Sequence, residues 1–224
     1  MNASPRTPRP RAEPERPATA RRHASTVERL VASARAVFAR RGYDGASIRT
    51  ITREAHANLG AVTYHFGSKH ALYEAVLEQV LAPLAQRVLA VVDGPGNALD
   101  RAEGTVRALF DHLRENPDMP HLMVQELAAG KTPPAPVVKA LGAISGRLAQ
   151  LVLEGQKAGE IRAGDPKLLA LSLVYQPVHL TLVQRISKGV LGLDQSDPAT
   201  RAHVVEHAAA FARAGLAAAR KGKG

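Results

Sequence analysis

The chain has 224 residues, 45% of them hydrophobic, no cysteine, a net charge of +10 and a pI near 10.4. That length and apolar content suffice for one large domain or two smaller ones. The missing thiols exclude disulfides and thiolate metal sites and fit a cytoplasmic chain, while the positive charge asks for an anionic partner, nucleic acid or membrane surface. Residues 1–24 carry six Arg against two acids, residues 25–70 carry seven Lys/Arg against three, and the remainder 17 against 15. Basicity is therefore gathered at one end of a near-neutral body, the distribution expected of a nucleic-acid-binding end.

In chain order, residues 1–22 set Pro5, Pro8, Pro10, Pro14 and Pro17 among arginines, the composition of a disordered basic tail. It is either a solvated extension or an arm adding non-specific attraction to phosphates. No apolar stretch of a secretory signal accompanies it. Ser25 and Glu28 make a capping-box pattern ahead of the stripe Leu30, Val31, Ala34, Val37 and Phe38, and Gly42 ends that helix with Tyr43 folding back. Ser47 caps a second helix with Ile48, Ile51 and Ala55 inward. Asn58 caps a third of about seven residues, with Val62 inward and Phe66 closing the core. Ser68 caps a long fourth helix that Pro83 is expected to kink or break. After the Asp93–Gly96 loop, capping residues followed by proline at Asn116-Pro117, Asp165-Pro166 and Asp197-Pro198 mark further starts. The remaining helices are expected near 97–115, 117–129, 136–158, 166–188 and 198–219. The chain reads as all-α, with about nine helices. The apolar run Leu168 to Val183 is interrupted by polar residues and is shorter than the roughly 20 residues of a membrane span, so it is expected as a buried helix.

Residues 47–69 carry the most specific chemistry. Two short helices joined by a tight turn suit a helix-turn-helix, which places its second helix in the DNA major groove. Leu59, Gly60, Ala61, Thr63 and Tyr64 form the outward face. The two small residues permit close approach, and Leu59, Ala61 and the Thr63 methyl suit thymine methyl groups. Tyr64, His65 and Lys69 are spaced for phosphates, with Ser47 and Asn58 at the helix starts as further DNA contacts.

This segment resembles the TetR (tetracycline repressor-like) family, whose pattern has the form S/T-x-x-x-I-A-x-x-A-G-V-S-x-G-x-L-Y-x-H-F-x-S-K-x-x-L. Ser47, Ile51, Ala55, Asn58, Gly60, Val62, His65, Phe66, Ser68, Lys69 and Leu72 match it in register, and Arg35, Phe38 and Gly42-Tyr43 fit the preceding helix. The resemblance covers about residues 25–75. His56 departs from it, standing where the family usually has the turn glycine, and Thr63 stands where an aromatic is common. The resemblance implies a DNA-binding domain over 23–70 and an effector-binding, dimerising domain over 71–224. Its implied function is a homodimeric regulator, a repressor released from a palindromic operator by a small molecule. A non-specific architectural DNA binder, or a small-molecule binder with a vestigial helix-turn-helix, are the alternatives.

For dimerisation the last helix offers the stripe Val204, Ala208, Phe211, Ala212, Gly215 and Ala219. For the effector, taken to be hydrophobic or aromatic, candidates are His112, His121, Met123, Gln125, Glu126, Tyr175, Gln176 and His179, polar groups and a methionine on otherwise apolar helices. His203-Val204-Val205-Glu206-His207 matches H-x-x-E-H, a zinc-protease pattern, but no acidic ligand follows it. No phosphate-binding or dinucleotide loop occurs. Neither an enzyme, a metal nor a cofactor is expected.

Overall fold

The computed structural model describes residues 18–219, with side chains from Thr26 onward. It contains ten helices among the described residues: α1 Ala18–Gly45, α2 Ile48–Glu54, α3 Ala61–Phe66, α4 Lys69–Val92, α5 Ala98–Glu115, α6 Met119–Ala129, α7 Ala135–Lys157, α8 Pro166–Leu182, α9 Gln184–Leu191 and α10 Pro198–Leu216. The only extended pairing among these residues is a bridge between Ile161 and Ala217.

Local chemistry sets most of the starts. Ser47 accepts the Thr50 N–H at 3.1 Å, Ser68 the Ala71 N–H at 3.1 Å and Asn97 the Asp100 N–H at 2.9 Å. Asp165 and Asp197 cap the two helices that begin with proline. Each such cap satisfies a donor that the helix itself leaves open, a contribution of about 1 kcal/mol.

Several expected boundaries are corrected. Residues 18–22 already belong to α1, and the rest of the basic tail lies outside the described residues. Ser25 lies within α1, so it does not open that helix. Pro83 stays inside an unbroken α4, on its exposed side, where a carbonyl without its intrahelical partner can turn to water. Asp118, not Asn116, is the N-cap of α6. The Asn116 side chain is engaged elsewhere, donating to the His112 carbonyl at 3.0 Å and accepting from Arg35 at 2.9 Å. The run 166–188 is split at Val183, which closes α8 and opens α9, hence ten helices rather than nine.

α4 is the spine. Its first turns pack on α1 and α3, and the rest packs on α5 and α7. Leu72 and Tyr73 belong to the N-terminal head, whereas Val80, Leu81, Leu84 and Val88 belong to the body, all of them buried. Full burial of each such side chain is worth about 1.5–3 kcal/mol. By length and composition α4 and α7 could each cross a membrane. Here they turn their apolar stripes onto each other.

His112, 2% exposed on α5, sits against α4. Burial holds its imidazole below the ordinary value, and the Arg87 and Arg35 charges act in the same direction against the opposing Val80 backbone and Glu115. The unfolded chain therefore takes up this proton first as the pH falls. The neutral ring's stability contribution is complete above about pH 6.5 and is lost as the pH drops toward the folded-state value. Thermal unfolding followed from pH 7.5 to 5 should show this loss, and His112→Gln should flatten that part of the curve.

Candidate nucleic-acid interface

The head is built by α1, α2, α3 and the start of α4. Leu30, Ala34, Val37 and Phe38 of α1 meet Ile51, Ala55 and Val62 in a fully enclosed cluster. Phe38 packs edge-on to Tyr73 with ring centroids 4.7 Å apart, and Tyr43 lies 5.0 Å from Tyr73. The backbone at Gly42 has φ +70° and ψ 175°, which breaks the helical course inside α1 and brings Tyr43 back onto this cluster. Arg29 donates to the Ala55 carbonyl at 3.2 Å, satisfying the open C-terminal end of α2.

The turn between α2 and α3 places His56 at φ +49°, the one non-glycine left-handed residue among those described. This is the position where the resemblance had a glycine. A Cβ in that conformation costs about 1–2 kcal/mol, partly offset by glycine's greater entropy when unfolded. His56→Gly should therefore raise stability by about 0.5–1 kcal/mol, a rise of roughly 1–4 °C in Tm for a chain of this size. His56→Val should lower it.

The third helix begins at Ala61, not Asn58, and spans six residues with Gly60 at its cap and no side-chain capping bond. The Asn58 carbonyl instead accepts the Ala61 N–H at 2.9 Å, forming the turn ahead of the helix. Val62 alone is fully buried on α3. Tyr64 is 74% exposed and Leu59 54%, with Asn58, Gly60 and Thr63 exposed beside them. The Tyr64 and His65 rings meet edge to face at 4.8 Å. Ser47 is exposed, whereas Lys69 is half-buried with its Nζ 4.5 Å above the Tyr43 ring, a cation–π contact that fixes the ammonium at the start of α4.

Asn58, Gly60, Ala61, Tyr64 and His65 line one open groove, whose far wall is Thr26 and Arg29 of α1. Sequence reading missed those two, because nothing in a helical stripe shows that α1 runs past the tip of α3. Arg49, exposed in the first turn of α2, is a further unassigned cation on the head.

The eight effector candidates do not converge. His112 is enclosed between α4 and α5. Gln125 donates to the Ala39 carbonyl at 3.1 Å, and Glu126 accepts from the Tyr73 hydroxyl, so both join α6 to the head. Burial, and then this carboxylate, push the Tyr73 phenol well above its ordinary value. His121 is exposed and Met123 half-buried on the same helix. Tyr175 and Gln176 line an outer groove between α8 and α10, and His179 is exposed. A separate cleft of about 260 Å³, lined by Phe110, Pro117, Thr181, Gln184, Arg201 and Val205 among others, contains none of the eight.

The C-terminal stripe also divides, and its assignment to a dimer interface is corrected for half its members. Val204, Ala208 and Ala212 are buried within the chain, where α10 packs on α5. Arg107 bridging Glu206 and Glu103, and Arg213 bridging Asp100 and Glu103, hold the two helices in that register. Phe211, 63% exposed, is left on the outer edge with Gly215 and Ala219. Glu206 of the H-x-x-E-H run is thus engaged by an arginine, and His203 and His207 are exposed.

Residues 30–76 match the family described as "Bacterial regulatory proteins, tetR family". The HTH-type transcriptional repressor SCO4008 of Streptomyces coelicolor is 31% identical over 167 residues, 75% of this chain and 83% of that protein. The HTH-type nicotine-responsive transcriptional repressor HdnoR of Paenarthrobacter nicotinovorans is 41% identical over 73 residues, 31% of this chain and 38% of its own length. Among solved structures, a tetR-family bacterial regulatory protein from Rhodococcus RHA1 shares the fold with a TM-score of 0.71 at 20% identity, covering 87% of this chain and 98% of the other. A likeness to SCO4008 that runs through most of both chains, joined to an enclosed helix-turn-helix head, makes this chain a member of the TetR family and a DNA-binding transcriptional regulator.

Proposed function

We propose that the protein is a homodimeric, cytoplasmic repressor that binds a palindromic operator through 23–70 and is released by a small molecule bound in 71–224. Leu59, Gly60, Ala61 and Thr63 face base edges. Ser47, Asn58, Tyr64, His65 and Lys69 hold phosphates, joined by Arg29 and Arg49. The observation that carries this is the short α3, fixed by buried Val62 on one side and presenting Gly60, Thr63 and a 74%-exposed Tyr64 on the other. The names of SCO4008 and HdnoR as repressors, the latter nicotine-responsive, support repression and ligand control.

Selection of binding sites from a random duplex pool, followed by mobility shifts across a salt series, tests the reading. A palindromic consensus bound well above random DNA is expected. Equal affinity for selected and random duplexes, with one salt slope, would establish a non-specific binder instead. Small-molecule binding with no DNA affinity at any salt would establish a carrier.

A further inference from the structure

The turn Asn116–Pro117–Asp118 belongs to two sites at once. On one side Asp118 receives the Arg35 guanidinium of α1 through a two-pronged ion pair, Nε to Oδ2 at 2.6 Å, and Asn116 accepts from the same guanidinium at 2.9 Å. Burial alone would raise the Asp118 carboxyl, but the Arg35 fork overrides it and holds the group below the usual carboxylate range. On the other side Pro117 is a wall of the 260 Å³ cleft between α5, the α8–α9 junction and α10. That cleft has Phe110, Leu113 and Val205 for apolar lining and Arg201 at its rim. Arg201 spends Nε and one terminal nitrogen on the Gln195 and Ser196 carbonyls, and its other terminal nitrogen has no hydrogen-bond partner among the described residues. Arg114 and Asp111 both line the cleft and offset one another at 3.9 Å, while Glu115, 3.6 Å from Arg114, is paired more closely with Arg87 at 2.7 Å. The unbalanced charge facing the cleft is therefore the cation of Arg201.

We propose that this cleft is the effector site, that it takes a small molecule with an apolar body and an acidic group, and that the Asn116–Asp118 turn is its readout. The proposal rests on the reading of the chain as a ligand-released repressor. The ring of a proline fixes φ, so Pro117 yields less by local backbone adjustment than other residues do. A body wedged against Pro117 moves Asp118 and Asn116 with it and withdraws the acceptors that hold α1, and so the head, at a fixed angle to the body. The ligand acts because it binds better to the state in which the Arg35 fork is open.

The absence of cysteine gives a test that needs no known ligand. A Gln184→Cys variant, with Thr181→Cys as a second placement, is alkylated by a naphthalene sulfonate iodoacetamide, an apolar body carrying an acid. Gln150→Cys on the exposed side of α7 is the labelled control. Labelling in the cleft should weaken binding to the selected duplex by about tenfold or more, within the usual range of allosteric coupling, and speed amide exchange at the contact between α1 and the start of α6. Labelling at position 150 should do neither. In an Asp118→Asn background the DNA effect of labelling should shrink to about twofold. Unchanged DNA affinity and exchange after labelling at both cleft positions would overturn the cleft, and an undiminished effect in Asp118→Asn would overturn the readout. Faster exchange without any DNA affinity in the unlabelled protein would instead count against the repressor reading and leave the coupling standing.

Discussion

A leucine at position 60 should remove operator binding while leaving the unfolding temperature at or above that of the parent. Gly60 has φ −71° and ψ −10°, an ordinary helical conformation that any side chain adopts. An added Cβ meets no atom within 4 Å. Nothing in the fold requires glycine there, and replacing it with leucine removes glycine's unfolded-state entropy. In the proposed DNA-bound arrangement the requirement comes from outside, because the α3 backbone would approach the groove floor at that residue. A leucine side chain in that gap would hold the helix away from the base edges it is proposed to read. We expect a loss of at least about 100-fold, roughly 2.7 kcal/mol, for Gly60→Leu and a smaller one for Gly60→Ala. Gly155 is the internal contrast. There a Cβ would sit 2.6 Å from Ile161 and 2.7 Å from Ala98, so the same substitution should cost stability. Lys69→Ala should behave differently again, weakening all duplexes alike and reducing the salt slope by about one ion. Mobility shifts beside thermal melts distinguish these cases. Parent-like affinity of Gly60→Leu for the selected duplex would mean that this face does not enter the groove.

Much of this architecture could be read from the chain because its determinants are local. Ser47, Ser68, Asp165 and Asp197 each cap the helix they precede, and the 3.6-residue stripe of α1 is the one buried. Ser25, Asn58 and Pro83 are misread on local grounds, as caps or breaks that the backbone does not use, and the other misreadings fall where a distant partner decides. Asn116 carries a capping side chain, but Arg35, 81 residues earlier, takes it. Gln125 and Glu126 look like pocket residues on an apolar helix, yet Ala39 and Tyr73 of the head are their partners. The α10 stripe is continuous by helical angle, and only its neighbour α5 decides where inside ends and outside begins. Arg29 and Thr26 were invisible for the same reason, since the groove they line exists only once α1 lies beside α3. In the DNA-binding segment almost every choice is made within a few residues, so its exposed face was legible. The effector candidates lie on helices far apart in sequence, and their neighbours separate them.

A double substitution Tyr175→Glu with Phe211→Glu should convert the protein to a monomer and lower operator affinity by about 10²- to 10⁴-fold, the range lost when a second linked contact is removed. Leu168, Leu171 and Tyr175 are 64%, 40% and 57% exposed on one face of α8, and Tyr175 shares a groove with Phe211 of α10. An apolar face of that kind on two adjacent helices marks an association surface more often than a solvated one. A second copy laid across it by a two-fold axis would bury both helices of each chain, and the same axis would set two α3 helices to read two half-sites. Carboxylates at the centre of such a surface have no partner and repel their symmetry mates. Each chain should then keep its head and its core but lose the second half-site. Ile186 and Val190 of α9, 65% and 74% exposed, give the comparison. They lie on a separate short helix, and glutamates there should leave the dimer and its operator affinity in place. Light scattering and mobility shifts on both double variants decide the matter. A dimer that survives Tyr175→Glu with Phe211→Glu but dissociates with the α9 pair would move the interface to α9.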